Sequence, residues 1–264
     1  MTRRFLTFAC EGNTLAATLD TAEAATGLLI VSGGNELRAG PWNSQAQLAE
    51  RIAAAGFPVL RFDRRGVGDS EGPNGGYRKS GPDLGAALAA FKSHMPTLKR
   101  VVAFGNCDAA SALMLAGGAG LDALVLANPW SFDEADDEAE SDATPMPPAA
   151  LRAHYVRRLT DPRALWRLLT GKVKLGVLAS SLVAASRPTS QTALAAEMDR
   201  GIAGFQGPLV LLVAENDRTG QAFLANWDKA DSRIRICPDA SHSFVEAPAR
   251  IWLQGQILGM LRGA

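Results

Sequence analysis

Short apolar runs alternate with longer stretches of helical periodicity along most of the chain. Two runs near the start, RFLTFAC and TLAATLD, are separated by Glu11-Gly12-Asn13 and predict an antiparallel hairpin. Further apolar runs predict strands at 27–32, 58–63, 100–105, 122–128, 208–214 and 233–237. Spacing typical of helices occurs near 44–55, 82–94, 108–117, 220–229 and 245–262. Buried strands that alternate with helices predict an α/β fold with a mostly parallel eight-stranded sheet, whose functional loops lie at the carboxyl ends of the strands.

One long segment, between Trp130 and Gly207, interrupts this alternation. It contains seven acidic residues in DEADDEAESD (133–142) and then two helix patterns, AALRAHYVRRL and DPRALWRLL. The segment predicts a helical cap over 131–206, inserted after the sixth strand, with 1–130 and 207–264 forming the core. The alternative is that its charged residues are only solvated helix faces.

The overall composition narrows the range of partners. The chain of 264 residues has 27 basic and 27 acidic residues, so charge indicates neither nucleic acid nor an anionic membrane as a partner. Three scattered cysteines predict no disulfide framework, and no Cys/His spacing indicates a metal or other cofactor. No apolar run has the length of a signal peptide or a membrane span, which predicts a cytoplasmic protein with reduced thiols.

A candidate nucleophile follows the strand at 100–105. The sequence Gly105-Asn106-Cys107-Asp108-Ala109 has the form of the G-x-S-x-G turn between a strand and a helix, with cysteine in place of serine. Such a turn presents the central side chain above the sheet, and the amino end of the following helix stabilises a thiolate. The alternative is a small buried cysteine in an ordinary turn.

A nucleophilic cysteine requires a base and a group that orients the base. His242 lies in the loop PDASHSFVEAP after the last strand, at the same predicted sheet edge, whereas His94 ends a helix and His154 belongs to the predicted cap. Asp217 follows the strand at 208–214 and precedes His242, with Glu215 as the second choice of orienting acid. Asp217 could instead serve only to cap the next helix.

An oxyanion hole requires two backbone N–H groups near the nucleophile. Asp108, the residue after the cysteine, is one predicted donor. The Gly33-Gly34 pair after the strand at 27–32 predicts the other, from the amide of Gly34 or Asn35. A tight turn alone would also explain the two glycines.

With these parts in place, the chain resembles the α/β-hydrolase superfamily over nearly its whole length. RFDRRGVGDSEG (61–72) looks like the superfamily motif D-x-R-G-x-G-x-S, in which Asp63 and Arg65 would hold the loop. More narrowly, the chain is similar to the type 1 hydrolases associated with the exosortase A system. The matching stretches are VSGGNELRAG, VLRFDRRGVGDSEG, GNCDAASALML, LANPW, HYVRRLTDPRALWRLLTGKVKL and FQGPLVLLVAENDRTGQAF. Two positions depart from the superfamily pattern, Ala109 at the fifth motif position and Ser32 in place of the histidine of the usual oxyanion loop.

These features predict a hydrolase that cleaves an ester or thioester through a Cys-His-Asp triad and an acyl-cysteine intermediate. Trp130, Tyr155 and Trp166 are candidate residues of the acyl pocket, although such aromatic residues also occur in cores. The basic stretch from Arg152 to Lys174 could attract an acyl substrate on a phosphate- or carboxylate-bearing carrier. The alternatives are an acyltransferase that uses an alcohol or amine acceptor and a non-catalytic binding module.

Overall fold

The structure is a computed structural model, which describes residues 2–132 and 192–263. In this part of the chain eight strands form one sheet, in the order β1-β2-β4-β3-β5-β6-β7-β8. The strands are β1 Arg3–Cys10, β2 Asn13–Asp20, β3 Thr26–Val31, β4 Val59–Phe62, β5 Arg100–Asn106, β6 Ala123–Ala127, β7 Leu209–Ala214 and β8 Ile234–Cys237. The pairs β1–β2 and β2–β4 are antiparallel, and every other neighbouring pair is parallel. The predicted fold class, a mostly parallel eight-stranded sheet, is therefore confirmed.

Helices flank both faces of this sheet. The described α-helices are α1 Ser44–Ala54, α2 Gly81–His94, α3 Asp108–Leu115, α4 Ala193–Ile202, α5 Arg218–Asn226 and α6 Ala247–Arg262, and short 3₁₀ turns occur at Pro41–Asn43 and Tyr77–Lys79. The predicted bounds agree to within two residues except at α5, which ends three residues early. At that point Trp227 has extended backbone (φ −116°, ψ 158°) and is only 7% exposed. Burial of the indole ring therefore coincides with the end of the helix.

The alternation of side chains along the strands divides the core into two apolar layers. In β3, Leu29 and Val31 pack with α2, α3 and α4, whereas Leu28 and Ile30 pack with α1 and α6. The central strands are apolar on both faces because both faces are covered, as the unbroken apolar runs predict. This arrangement directs the carboxyl ends of the parallel strands toward one edge of the sheet.

The two described parts of the chain meet close to this edge. Thr192 donates its hydroxyl to the carbonyl of Ser131 over 2.8 Å, and the same hydroxyl oxygen caps α4 by accepting the N–H of Ala195. Leu194 and Met198 of α4 belong to the apolar layer that also includes α3. Most of the predicted cap, 131–206, lies outside the described residues, and its boundaries stay a prediction.

The described residues contain no helix that is long and apolar enough to cross a membrane.

Candidate active site

The candidate nucleophile lies at the corner between β5 and α3. Cys107 has φ 60° and ψ −128°, a region that L-residues rarely occupy, so the backbone is strained where the strand turns into the helix. A Cβ atom built on Gly105 would lie 2.8 Å from the carbonyl carbon of Ala109. This close approach of the helix backbone explains why the first position of the motif holds glycine. Strain at a partly exposed thiol is typical of a functional position.

Asp217 and His242 meet at the carboxyl ends of β7 and β8. The Nδ1 atom of His242 lies 2.9 Å from Oδ2 of Asp217, which is only 7% exposed. The same carboxylate oxygen accepts the N–H of Gly220 over 2.9 Å and so caps α5. The Asp217 carboxylate therefore both contacts His242 and caps the next helix, the two roles that the sequence offered as alternatives. The second choice, Glu215, instead accepts the backbone N–H of Asp239.

The imidazole of His242 also interacts with the thiol of Cys107. Burial lowers the pKa of His242, but hydrogen bonds with Asp217 and Cys107 and the charges of both partners outweigh it, raising the pKa to about 10. The proton is thus held on the imidazole between two acidic groups. The imidazole thus lies between a carboxylate and a thiol, the order in which an orienting acid, a base and a nucleophile would act.

Two asparagines hold the backbone of the histidine loop. The side-chain amides of Asn106 and Asn128 donate to the carbonyl of His242 over 3.2 and 3.1 Å. Asn128 also donates to the side-chain oxygen of Asn106, and its own oxygen accepts the N–H of Ala214. The ends of β5, β6 and β7 are thereby tied to the loop after β8. Sequence reasoning missed both residues, although Asn106 lies within the nucleophile motif and Asn128 within LANPW.

The loop after β3 packs directly on the nucleophile turn. A Cβ atom on Gly33 would lie 2.7 Å from the carbonyl oxygen of Asn106 and 3.7 Å from Cβ of Cys107. Only glycine permits this approach, which brings the loop after β3 against Asn106 and Cys107. Asn35 lies farther along the loop, where its side-chain oxygen accepts from Asn74 over 2.7 Å.

The predicted donor Gly34 already has an internal acceptor. Its N–H donates to Oδ1 of Asp108 over 2.6 Å, and Oδ2 of Asp108 lies 3.1 Å from Nη2 of Arg64. Arg64, only 5% exposed, also donates to the carbonyl of Gly34 and to Ser80. This charged cluster joins the loop after β3 to the start of α3. It also means that the Gly34 amide reaches an oxyanion only when the Asp108 carboxylate moves.

Comparison with known proteins identifies the family of the chain. The model of the α/β-hydrolase family matches residues 28–252, which include every strand from β4 to β8 and the whole candidate site. The chain belongs to the α/β-hydrolase family. No curated protein matches its sequence at a significant level.

Solved structures resemble this α/β-hydrolase over nearly its full length. An esterase from Pyrococcus furiosus is 16% identical, with a TM-score of 0.64, 99% of this chain covered and 91% of that chain. GrgF, an α/β-hydrolase from Penicillium, is 17% identical, with a TM-score of 0.64 and both chains fully covered. An α/β serine hydrolase homologue from Coxiella burnetii is 16% identical, with a TM-score of 0.57, 100% of this chain covered and 98% of that chain. At these identities the likeness establishes the fold.

Trp130 is the predicted pocket residue that the structure places beside Cys107, the candidate nucleophile of this α/β-hydrolase. Its N–H donates to the carbonyl of Cys107 over 3.3 Å, and its own carbonyl accepts the hydroxyl of Ser111 over 2.8 Å. Its indole Nε1 atom is buried and has no hydrogen-bond partner among residues 2–132 and 192–263. Tyr155 and Trp166, and the alternative histidine His154, lie outside the described residues.

The described residues include no group of three or more His, Cys, Asp or Glu side chains that could hold a metal ion. The site's own chemistry is that of a thiol, an imidazole and a carboxylate in series.

Proposed function

We propose that this α/β-hydrolase cleaves an ester or thioester through Cys107, His242 and Asp217. The observation that carries the proposal is the imidazole of His242, which bonds to Asp217 at Nδ1 and interacts with the thiol at a strained strand-to-helix turn. A nucleophile, a base and an orienting acid in this order are the minimum set for covalent acyl transfer. The match to the α/β-hydrolase family supports the same reaction class.

The reaction would begin with the thiolate of Cys107 and the imidazolium of His242. The thiolate attacks the carbonyl carbon, and the imidazolium gives its proton to the leaving oxygen or sulfur as the bond to it breaks. In the second half, the neutral imidazole takes a proton from water while the water oxygen attacks the acyl-cysteine. The thiolate then leaves, the carboxylic acid product is released and the imidazolium is restored. Asp217 keeps Nδ1 protonated throughout.

The negative charge on the carbonyl oxygen requires donors. Asp108 is the first residue of α3, so its N–H precedes the intrahelical hydrogen bonds and is suited to this role. The second donor would come from Gly34 or Asn35, and a single well-placed donor is worth about 3 kcal/mol of the barrier. If Gly34 is that donor, the substrate oxygen must displace the Asp108 carboxylate from its amide. Trp130 would add an indole N–H that has no acceptor within the described part of the chain.

Within the family, we propose a place among the type 1 hydrolases associated with the exosortase A system. The support is the set of motifs around the glycine pair, the nucleophile turn and the predicted cap. A carrier-bound acyl group fits the basic stretch of that cap, and transfer to an alcohol or amine remains the alternative outcome of the same intermediate.

The test is hydrolysis of 4-nitrophenyl esters and acyl-coenzyme A thioesters by the wild type and Cys107→Ala. We expect the variant to lose more than about a thousandfold in kcat/KM, because loss of one member of a triad removes the covalent route. Cys237→Ala is the matched control, since this second cysteine is 2% exposed at the end of β8, and it should retain activity. Hydrolysis that survives in Cys107→Ala would contradict the assignment of the nucleophile.

A further inference from the structure

A cavity of about 200 Å³ lies beside the candidate catalytic residues, between α1 and α6. Asn106 and Ser243, the chain neighbours of Cys107 and His242, contribute to its lining. The cavity therefore borders the site from the side of the sheet that α1 and α6 cover.

The walls of this cavity combine apolar and cationic groups. Phe104, Leu48 and Leu253 supply apolar surface, while Arg51 from α1 and Arg250 from α6 supply two guanidinium groups. Such a lining suits a ligand with an apolar body and an anionic end, because guanidinium groups bind carboxylates and phosphates through paired hydrogen bonds.

The two arginines have unused binding capacity. Arg51 donates through Nε to the side chain of Gln254, and no carboxylate within the described ranges forms an ion pair with Arg51 or Arg250. Burial lowers the pKa of Arg51, the positive charge of Arg250 lowers it further, and the negative charge of Glu50 raises it in part. Two cations that repel each other in one cavity are stabilised when an anion lies between them.

The other charged residue of the cavity lining is Glu36, on the loop after β3. Two positive charges and one negative charge leave an excess of one positive charge. At the rim, Trp42 is 78% exposed and has left-handed backbone (φ 50°). This indole therefore offers exposed apolar surface at the rim of the cavity.

We propose that this cavity is a subsite for an anionic group, a carboxylate or a phosphate, carried by the substrate of the neighbouring catalytic residues. Arg51 and Arg250 bind the anion, the apolar wall contacts the adjoining chain, and Glu36 moderates the affinity. The role as a substrate subsite rests on the proposed function, whereas anion binding by the cavity does not.

Calorimetric titration with glutarate and with inorganic phosphate tests the site without any catalytic step. We expect saturable binding of at least one anion to the wild type, weakened about tenfold in Arg250→Gln because one charged hydrogen-bond donor is lost. Glu36→Gln should strengthen binding two- to threefold, since it removes the competing negative charge. Arg262→Gln is the matched control, because it removes the same charge from α6 about 18 Å farther along the helix and should leave binding unchanged. Absence of saturable binding, or equal affinity in Arg250→Gln, would overturn the proposal.

Kinetic measurements then show whether the anion that the cavity binds is part of the substrate. Mono-4-nitrophenyl glutarate and 4-nitrophenyl pentanoate have acyl chains of the same length and differ in a terminal carboxylate. Arg250→Gln should raise KM for the charged ester about tenfold and leave the neutral ester unchanged. Phosphate that inhibits in competition with the ester would point to a phosphate-bearing substrate. Bound anions that leave hydrolysis of both esters unchanged would contradict a substrate subsite. Hydrolysis by Cys107→Ala would contradict the proposed triad. The calorimetric titration would still show whether the cavity binds anions.

Discussion

Asp108 combines two effects that oppose each other at the candidate site. Its backbone N–H is a predicted oxyanion donor, whereas its side chain places a negative charge on the neighbouring donor, Gly34. Arg64 offsets that charge through a 3.1 Å ion pair and also bonds to the carbonyl of Gly34. The loop after β3 is therefore held in place by the same Asp108 carboxylate that accepts the N–H of Gly34.

Substitution of Asp108 by asparagine separates these effects. Asparagine keeps an oxygen that can accept the Gly34 N–H, but it lacks the charge that competes with an oxyanion. If Gly34 is the second donor, Asp108→Asn should raise kcat for a neutral ester about threefold with little change in KM. Stopped-flow hydrolysis of a 4-nitrophenyl ester measures both constants. A loss of more than tenfold in kcat would show that the charge is needed to position the loop and would contradict competition.

The residue contacts also show which features of the site cannot be predicted from the sequence. The motif Gly105–Ala109 and the chain order of Cys107, Asp217 and His242 are local or sequential features, so they can be recognised in one chain. The contacts of Asp108 with Gly34 and of Asn128 with the His242 carbonyl join residues 74 and 114 positions apart. Only the tertiary structure brings such partners together, and secondary-structure propensity does not indicate which residues will pair.

Most elements could be predicted because each has a local cause. The parallel strands are short apolar runs buried on both faces, and the hairpin between β1 and β2 has left-handed backbone at Glu11 and Gly12 (φ 46° and 80°), as its two-residue turn requires. Helix α4 was not predicted, because ALAAEMDRGI lies within the segment interpreted as a cap. Its buried positions, Leu194, Met198 and Ile202, nevertheless recur at intervals of four residues, which is a helical signal.

The contact between α3 and α4 can be tested with one methyl group. A Cβ atom on Gly201 of α4 would lie 2.2 Å from the carbonyl oxygen of Met114, so Gly201→Ala must push the helices apart. We expect a loss of about 2–3 kcal/mol in the free energy of unfolding, measured by urea denaturation. Gly204→Ala is the matched control three residues away, where nothing lies within 4 Å. Equal stability of the two variants would contradict the close packing of α4 on α3.

Over the molecule as a whole, the functional groups of the proposed reaction lie at one edge of the sheet. The loop after β3 contains Gly34, and Cys107 and Trp130 follow β5 and β6. Asp217 follows β7, and His242 lies in the loop after β8. The chain enters and leaves residues 133–191 beside this edge, through Ser131 and Thr192. Parallel strands make such convergence possible, because residues distant in sequence meet wherever neighbouring strands end. The fold class could be predicted for the same reason, whereas the lining of the cavity at Arg51 and Arg250 depends on how two helices pack.

In the proposed reaction the acyl group is carried by the sulfur of Cys107. This step is tested most directly by mass spectrometry of the protein quenched in acid during turnover of a slowly hydrolysed ester. We expect an added mass equal to the acyl group less one hydrogen, located on the peptide that contains Cys107 and missing from Cys107→Ala. Steady hydrolysis with no acyl group on this cysteine, or with the acyl group on another residue, would contradict it.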